Sequence, residues 1–326
     1  MKNKITLKQL AETAQVSIAT VSYALSDSPQ VSEMTRAKIK KIAKELNYVP
    51  NLSAQNLRTN NSNLIYALLN TYQGNFNGNV LQEIQLIFKE YGYDLLATSG
   101  SIPDIVKTNT VDGGIILNFA VPTPTLLDLA STKPLVLLSN EVQHENIANV
   151  VIDNELGMKY LLDLFKESYH RNLCFIVGEE RSYNNGQRVK AAEFYYHKMF
   201  QKSDFQERVY QGEFNSEIAY ELGLTILKEQ KHDAFICLND DMALGIYHAA
   251  ADLGLTVGKD ISIAGFDDSY LSNIISPKLT TIHIDKHAWA QAVVQAYLDL
   301  KKGTPQEKVN KVKPKLTLRD SVRLRK

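Results

Sequence analysis

The sequence predicts an α/β protein with a small helical region at its N-terminus and a larger core of parallel sheets. Three helical patterns fill the first fifty residues, and beyond residue 63 short apolar runs alternate with helical patterns. Such alternation is typical of parallel sheets with helices on both faces. A core of about 260 residues is large for one sheet of this kind, so we expect two similar lobes. The predicted strands are residues 64–69, 93–98, 113–118, 135–140, 172–177, 233–238 and 261–266.

The pattern of residues 6–25 indicates a helix-turn-helix. Thr6 and Gln9 have the spacing of a capping box at the start of a first helix, and Ser17 is placed to cap a second helix over residues 18–25. In this motif the second helix presents its N-terminal residues to the major groove of DNA. An ordinary pair of amphipathic helices is the alternative. The residues that we expect at the hinge or on the DNA-facing surface are Thr6, Ser17, Ile18, Ala19, Thr20, Ser22 and Tyr23.

A third helix completes this region. Ser32 is placed to cap it, and Ile39, Ala43 and Leu46 recur at helical spacing before Asn47 ends it. The three helices share one apolar face. We therefore predict a helical domain over residues 1–49, close to the smallest size at which an apolar core suffices for stability.

Residues 50–62 predict a hinge between this domain and the core. Asn51 can cap a helix that ends near Leu57, but an isolated helix of under two turns is unstable in water. The segment is therefore either a plain linker or a hinge helix that folds when it pairs with a twin on DNA. In the second case Leu57 would act as an apolar wedge in the minor groove.

The charge distribution favours a nucleic-acid partner for the N-terminal region. Residues 1–62 carry nine Lys and Arg against four Asp and Glu, although the whole chain has a net charge of zero. A basic segment attached to an acidic remainder is an electrostatic footprint for a polyanion. The lysines of the third helix are also explained as an ordinary solvated face.

Other features of the composition argue against several classes of protein. No apolar run is long enough to cross a bilayer, and the first ten residues lack the apolar core of a signal peptide, so we expect a cytoplasmic protein. Cys174 and Cys237 each lie in an apolar run that predicts a buried strand, so we expect no disulfide, metal site or cofactor. The sequence lacks the phosphate-binding, dinucleotide-binding and nucleophile-elbow motifs, so we expect no enzymatic activity.

Longer motifs resemble one family of bacterial regulators. TLKQLAETAQVSIATVSYALS from residue 6, VSEMTRAKIKKIAKELNYVPN from residue 31 and AQNL from residue 54 are similar to the DNA-binding head and hinge of the lactose repressor (LacI) family. VDGGIIL, VVIDNELG, LNDDMALG, DISIAGFDDS and LTTIHID follow in the order of that family and extend the resemblance over nearly the whole chain. The hinge residues that the resemblance places on DNA are Asn51, Ala54 and Leu57.

The resemblance implies a core of two periplasmic-binding-protein-like lobes joined by three crossovers, near Asp153, Asp285 and Lys313. The segment between residues 98 and 111 is shorter than we expect of the family, so the second helix of the first lobe should be missing or reduced. The implied boundaries are a hinge at 50–62 and a core at 63–326, with lobe 1 at about 63–152 plus 285–312 and lobe 2 at about 153–284 plus 313–326.

Polar side chains follow the predicted strands, where ligands of open α/β sheets bind. Amides and carboxylates that face hydroxyl groups, with aromatic rings beside them, suit a neutral polyol. Each of these side chains is individually explained as a helix cap or a loop-closing group. By resemblance, the positions at which sugar-responsive family members contact effector are matched by Asn118, Arg188, Asn239 and Asp267. Ser139 stands where the family often has an acidic residue. The predicted effector residues are Asn70, Tyr72, Asn118, Ser139, Arg188, Asn239 and Asp267.

Together these features predict a homodimeric transcriptional regulator that binds pseudo-palindromic double-stranded DNA. We expect a repressor of carbohydrate-utilisation genes whose operator affinity is controlled by a small sugar. A purine corepressor or a phosphorylated protein partner would be an alternative effector, and a sugar receptor without DNA function is a further alternative. A single head reads too few base pairs for specificity, so two-fold pairing is expected. Trp289, in the predicted helix AWAQAVVQAYL, is expected to serve core or dimer-interface packing and not to contact a ligand.

Overall fold

A computed structural model describes residues 5–49, 61–72, 75–304 and 309–324. The chain forms two compact units, Met1–Ser62 and Asn63–Lys326. The predicted hinge residues Asn51, Ala54 and Leu57 lie outside the described residues. No helix in the described ranges is long and apolar enough to cross a membrane.

The N-terminal unit contains three helices, α1 (Leu7–Ala14), α2 (Ile18–Leu25) and α3 (Glu33–Glu45). The predicted capping box is confirmed, because the Gln9 amide donates to Thr6 Oγ1 at 3.2 Å and the Thr6 amide donates to Gln9 Oε1 at 2.8 Å. Ser17 caps α2 in the same way, with its Oγ accepting from the Thr20 amide at 3.0 Å. These bonds satisfy backbone donors that a helix start leaves without partners.

One small apolar core holds the three helices together. α2 packs against both α1 and α3. Asn47, in the left-handed region at φ 50°, ends the third helix, and the next amide, of Tyr48, donates to Ala43 O at 2.8 Å. The fully buried residues that fill the core are Leu10, Ala14, Val21, Ala24 and Ile39.

The core unit contains two six-stranded sheets. In the first sheet all neighbouring strands are parallel, and in the second only the pair formed by the last strand is antiparallel. The first sheet has the order β11-β5-β4-β3-β1-β2, with β1 (Leu64–Leu69), β2 (Asp94–Ser99), β3 (Gly113–Leu117), β4 (Leu135–Leu137), β5 (Ile147–Ile152) and β11 (Asn310–Val312). The second has the order β12-β10-β9-β8-β6-β7, with β6 (Leu173–Val177), β7 (Val209–Gln211), β8 (Ala234–Cys237), β9 (Ser262–Asp267), β10 (Thr280–His283) and β12 (Lys315–Thr317).

Helices connect the strands and cover the sheets. Most strands are buried on both faces, as expected of parallel sheets with helices on either side. We call the part built on the first sheet lobe 1 and the part built on the second sheet lobe 2. The helices are α4 (Asn75–Glu90), α5 (Thr123–Ala130), α6 (Asn154–Glu167), α7 (Tyr183–Phe200), α8 (Ser216–Lys228), α9 (Asp240–Asp252), α10 (Tyr270–Ile274) and α11 (Lys286–Lys301).

The chain passes between the two sheets three times: after β5, after β10, and between β11 and β12. At the first two crossings an aspartate caps the next helix. Asp153 Oδ1 accepts from the Leu156 amide at 3.1 Å, and Asp285 Oδ1 accepts from the Ala288 amide at 2.9 Å. Trp289, in the helix that follows the second crossing, is fully buried in lobe 1 and donates to Val150 O at 2.9 Å.

The connection between β2 and β3 is short, as predicted. It holds a four-residue 3₁₀ turn, Asp104–Lys107, where a longer helix was expected of the family. The expectation of a reduced second helix in lobe 1 is therefore confirmed. Val106 of this turn is buried and packs into the smaller of the two apolar clusters of the core unit.

We predict that Gly114→Ala destabilises lobe 1. A Cβ at this β3 position would lie 2.1 Å from ring carbons of Tyr66, which is buried and cannot move aside freely. Overpacking of this kind costs about 1–3 kcal/mol of unfolding free energy. Urea titration followed by the fluorescence of Trp289, the single tryptophan, measures the change.

Gly186→Ala in α7 is the matched control, because nothing lies within 4 Å of the added methyl group. It should stabilise the helix by about 0.5–1 kcal/mol. Equal unfolding midpoints for the two variants would contradict the described packing of Tyr66 on Gly114.

Candidate functional site

The N-terminal unit presents an exposed surface on α2. Ile18 is 48% exposed and Tyr23 is 39% exposed, and Ala19 between them also faces solvent. Thr6 and Ser17 are exposed at the starts of α1 and α2. Thr20 is half-buried, and its hydroxyl lies 2.8 Å from that of Ser17. The surface available for contacts to base edges is therefore narrower than predicted.

Ser22, which we predicted among the DNA-contacting residues, is only 4% exposed. Since α2 is covered by both α1 and α3, more of its circumference is buried than the apolar pattern alone indicates. Ser22 therefore lies toward the other helices of the N-terminal unit, and its contact with DNA stays a prediction.

Several basic side chains of α3 are held by the head itself. Lys40 forms an ion pair with Asp27 at 2.5 Å, and Lys38 donates to Ala14 O at 3.3 Å. Arg36 donates to the carbonyls of Ser28 and Val31. These three basic side chains therefore contribute to the structure of the N-terminal unit itself.

The core unit contains a cleft of about 540 Å³ at the carboxyl ends of strands from both sheets. Six predicted effector residues line it: Asn70, Asn118, Ser139, Arg188, Asn239 and Asp267. Tyr72 is 56% exposed and lies outside the lining of the cleft, and its contact with effector stays a prediction. In the turn after β1, Asn70 Oδ1 accepts from the Thr71 amide at 2.9 Å, and both of these residues line the cleft.

Arg188 of α7 is the central charged group of the cleft and is only 3% exposed. Its Nη2 donates to Asp267 Oδ1 at 3.2 Å, and its Nη1 donates to the carbonyl of Leu238. The guanidinium carbon lies 3.6 Å from the centroid of the Phe266 ring. A buried cation is stable only when it is paired and hydrogen-bonded, and this arginine has both kinds of partner.

A chain of asparagine amides begins at Arg188. Its Nε donates to Asn154 Oδ1 at 2.8 Å, and Asn154 Nδ2 donates to Asn184 Oδ1 at 2.8 Å. Asn184 Nδ2 then donates to Asn118 Oδ1, again at 2.8 Å. The first three of these residues belong to lobe 2 and Asn118 belongs to lobe 1, so this last bond crosses from one lobe to the other.

The amide chain continues inside lobe 1. Asn118 Nδ2 donates to Asn77 Oδ1 at 2.8 Å, and Asn77 Nδ2 donates to Asn70 Oδ1 at 3.0 Å. The Asn118 backbone is left-handed at φ 50°, and its amide donates to Ser139 Oγ at 2.6 Å. Thus Asn77, which the sequence did not predict, joins two predicted residues of lobe 1, Asn70 and Asn118, and Ser139 is bonded to the second of them.

Asp267 ends β9 with an unusual backbone. Its φ is 108°, and Asp268 follows at φ 48°. Strained backbone of this kind concentrates at functional sites. Burial raises the pKa of Asp267 to about 6, while the nearby charges of Arg188 and Lys286 oppose the rise. Lys286 also donates to the Asp267 carbonyl at 3.1 Å, which fixes the strand end.

Aromatic rings form part of the cleft wall. Phe214 packs onto Gly178, where an added Cβ would lie 2.2 Å from its ring. The backbone of Glu213 and Phe214 is left-handed at both positions, which turns this loop toward the cleft. At the other side Tyr183 of lobe 2 donates its hydroxyl to Glu141 of lobe 1, which is a further hydrogen bond between the lobes. The aromatic lining residues are Phe76, Phe119, Tyr183 and Phe214.

Asn239 also acts as a helix cap, since its Oδ1 accepts from the Met242 amide at 2.9 Å.

Three residues of the amide chain were not predicted from the sequence: Asn77, Asn154 and Asn184. All three lie in the first turn of a helix that follows a strand, and asparagine has low helix propensity. An asparagine in the first turn of a helix that follows a strand is therefore the sequence feature that could have identified these three residues. The described residues contain no group of metal-ligating side chains.

Two family matches cover separate parts of the chain. Residues 162–322 match the periplasmic binding protein-like domain, and residues 6–51 match the bacterial regulatory proteins of the lacI family. This chain belongs to the lacI family. It is a DNA-binding transcriptional regulator.

Individual proteins agree with this assignment. The regulator is 28% identical over 335 residues to the probable HTH-type transcriptional repressor ExuR of Bacillus subtilis, with 98% of each chain covered. A sugar-binding LacI-family regulator from Enterococcus faecalis superposes with a TM-score of 0.71 at 26% identity, covering 80% of this chain and 98% of that one. A Lac repressor dimer bound to operator and the anti-inducer ONPF has the same fold, with a TM-score of 0.82 at 23% identity, and the match covers 98% and 100% of the two chains.

We predict that the regulator loses stability as the pH rises from about 4 to 8, because of Asp240. This carboxyl group lies behind the cleft, where it accepts from the Ser269 amide and the Thr281 hydroxyl, both at 2.6 Å. Burial raises its pKa to about 8 from 3.8. The folded state therefore keeps a proton that the unfolded state has released, so folding is favoured at low pH. Asp267 acts in the same direction up to about pH 6.

Asp240→Asn is the variant that tests this, because an amide does not titrate. Its unfolding free energy should fall less steeply between pH 5 and 8 than that of the wild type, as measured by urea titration. Equal slopes for the two proteins would contradict the assignment.

Proposed function

We propose that the regulator is a repressor of carbohydrate-utilisation genes whose operator affinity is controlled by a small neutral sugar bound in the cleft. The observation that carries this proposal is the line of amides from Asn70 to Arg188, which offers paired donors and acceptors along the cleft. Vicinal hydroxyl groups match such a line, because each hydroxyl both donates and accepts. The aromatic side chains of the wall supply faces that cover a sugar ring.

The charges of the cleft favour a neutral ligand over an anionic one. Four carboxylates line it against two arginines, and Arg188 is already paired with Asp267. An anion would meet a net negative lining and an arginine whose charge is balanced. The sugar-binding description of the Enterococcus faecalis regulator supports the same ligand class. The lining charges are Glu179, Glu213, Asp241, Asp267, Arg181 and Arg188.

We infer that α2 reads the operator through Ile18, Ala19 and Tyr23. None of these side chains makes the bidentate guanine contact of an arginine, so recognition relies on thymine methyl groups and on DNA shape. Asn51, Ala54 and Leu57 of the hinge are proposed to add contacts in the minor groove. The regulator acts by binding and not by catalysis, and it works in the cytoplasm, where the bacterial chromosome lies.

A homodimer supplies the second head. Strand β2 is an edge strand of the first sheet, and apolar side chains near it are exposed to solvent: Leu86, Tyr91 and Leu96. Exposed apolar patches on a soluble protein mark interaction surfaces, and a two-fold pairing of this patch is isologous. Two heads related by a two-fold axis match a pseudo-palindromic operator.

A test of the whole proposal selects operators from random DNA with the purified protein and then measures affinity for the selected sequence in the presence of single compounds. We expect a pseudo-palindrome whose affinity changes with a neutral sugar. A response to a purine or to a phosphorylated protein, and none to any sugar, would contradict the proposed effector class.

We predict that Tyr23→Ala changes base preference inside the half-site by about 1–3 kcal/mol per affected base pair. The ring is exposed on the α2 surface, so its removal deletes groove contacts without opening the core of the head. Met34→Ala, at an exposed position of α3, should leave base preference unchanged. Binding to a half-site library measures both, and identical preferences for Tyr23→Ala and wild type would refute the role of Tyr23.

We predict that Asp267→Asn lowers effector affinity by about tenfold or more while operator affinity without effector stays near that of the wild type. The loss follows from weakening a charged hydrogen bond in a desolvated site. Linkage requires operator and effector to change each other's affinity by the same factor. Glu180→Gln, which removes one exposed charge outside the cleft lining, is the control. Full effector response by Asp267→Asn would argue against the proposed site.

A further inference from the structure

A patch of aromatic and basic side chains lies on lobe 2, outside the lining of the cleft. α6 leads into the start of β6 and α7 leads toward the start of β7, and the two helices pack together. Their C-terminal ends therefore lie at the amino ends of the strands, whereas the cleft lies at the carboxyl ends. We call these residues the α7 patch: Tyr169, Arg171, Lys190, Phe194, Lys198 and Phe200.

Phe194 is the apolar centre of the α7 patch and is 56% exposed. Lys190 and Lys198 lie four residues before and after it, so the three side chains share one side of the helix. Both lysines are exposed, and the Lys198 ammonium group lies 5.5 Å from the centroid of the Phe194 ring. The solvent-facing side of a surface helix is ordinarily polar. The ring therefore leaves apolar area in water that the helix itself does not require.

The lysines on either side of Phe194 lack a counter-charge. Within the part of the chain that the structure describes, neither Lys190 nor Lys198 forms an ion pair or a side-chain hydrogen bond. The single carboxylate of α7, on Glu193, accepts instead from Gln206 Nε2 at 2.9 Å. Lys198 complements the dipole at the end of the helix, but Lys190 lies in the middle and gains little from it. Both charges are therefore available to an acidic partner.

The turn between α6 and β6 adds a second exposed ring. Tyr169 is 58% exposed, although its backbone is left-handed at φ 58°. Glycine is the usual residue at this position after a helix, and a bulky side chain is uncommon there. The Arg171 guanidinium carbon lies 5.8 Å from the centroid of the Tyr169 ring and 6.0 Å from that of Phe200. Arg171 thus connects the turn to the end of α7.

The composition of the patch fits a protein partner better than a nucleic acid. Aromatic side chains and arginine are enriched at protein interfaces. Nucleic-acid bases would need free ring faces for stacking, but Arg171 and Lys198 already lie beside the rings. Exposed Glu167, two residues before Tyr169, also interrupts the basic track that a phosphate backbone follows.

We propose that the α7 patch is a docking surface for a second protein, whose contacting segment is acidic and carries apolar side chains. Carboxylates of that segment pair with Lys190 and Lys198, and its apolar side chains cover Phe194 and Tyr169. The patch is separate from the cleft, so the proposal does not depend on which effector the cleft binds.

The experiment measures the fluorescence anisotropy of three labelled peptides with the full-length protein. The first peptide alternates pairs of glutamates with Trp-Leu pairs, the second has lysines in place of the glutamates, and the third has Ser-Gly in place of Trp-Leu. We expect wild type to bind the first peptide at least about tenfold more tightly than either of the others.

Reversal of both charges, in Lys190→Glu/Lys198→Glu, should exchange this preference, so that the lysine peptide binds more tightly than the glutamate peptide. Lys228→Glu/Lys259→Glu is the matched control, because it makes the same charge change at two exposed positions elsewhere in lobe 2. The control should keep the preference of the wild type.

Two further variants separate docking from folding. Phe194→Ala and Tyr169→Gly should each weaken binding of the first peptide by about threefold or more. Both should unfold at the same or a higher urea concentration than wild type, because alanine favours the helix and glycine fits the left-handed backbone. Lower unfolding midpoints with unchanged peptide binding would show that the rings serve stability alone, and would contradict the proposal.

The remaining outcomes identify other occupants. Absence of binding to the first peptide, or equal binding of the first and second, would overturn the proposal. A DNA duplex of random sequence and sedimentation velocity are measured in parallel. Loss of duplex binding in Lys190→Glu/Lys198→Glu but not in the control would assign the patch to nucleic acid, and loss of a larger oligomer would assign it to a second copy of the chain. Either result would overturn the proposed acidic partner, whereas no change in both supports it.

Discussion

The buried charge of Arg188 is the constraint on which the cleft depends. A guanidinium group removed from water needs a counter-charge and acceptors for its fixed fork of donors. Asp267 provides the charge, the Leu238 carbonyl and Asn154 provide acceptors, and Phe266 covers one face. These partners come from different strands and helices of lobe 2, so the cation determines how the strand ends of that lobe are arranged around the ligand.

The same cation organises the contact between the lobes. Hydrogen bonds in a low-dielectric chain polarise one another, so the charge of Arg188 strengthens a line of amides that ends on Asn70 in lobe 1. The lobes are also connected covalently, by the three crossovers of the chain between the sheets. The amide junction is therefore a polar contact between two lobes that the chain also connects at three crossings. A ligand that changed this contact would favour one arrangement of the lobes over another, as an allosteric effector must.

The features that were predicted correctly depend on patterns within a few residues of the chain. The caps at Thr6 and Ser17, the apolar strands and the polar residues after them follow from patterns within a few residues, and six of the seven predicted effector positions line the cleft. The exceptions depend on distant segments. Ser22 is buried because α3 packs against α2, and the partner of Asn184 lies 66 residues away in another lobe. Sequence spacing contains no information on such contacts.

The central claim is that Arg188 orients an amide chain that passes from lobe 2 to lobe 1. Neutron diffraction from crystals of the effector-free, deuterium-exchanged core tests it most directly, because it distinguishes amide nitrogen from oxygen and locates the deuterium atoms. We predict deuterium on Asn184 Nδ2 directed at Asn118 Oδ1, and on Asn154 Nδ2 directed at Asn184 Oδ1. The reverse orientation of either amide, or an Asn184–Asn118 pair too far apart for a hydrogen bond, would contradict the account.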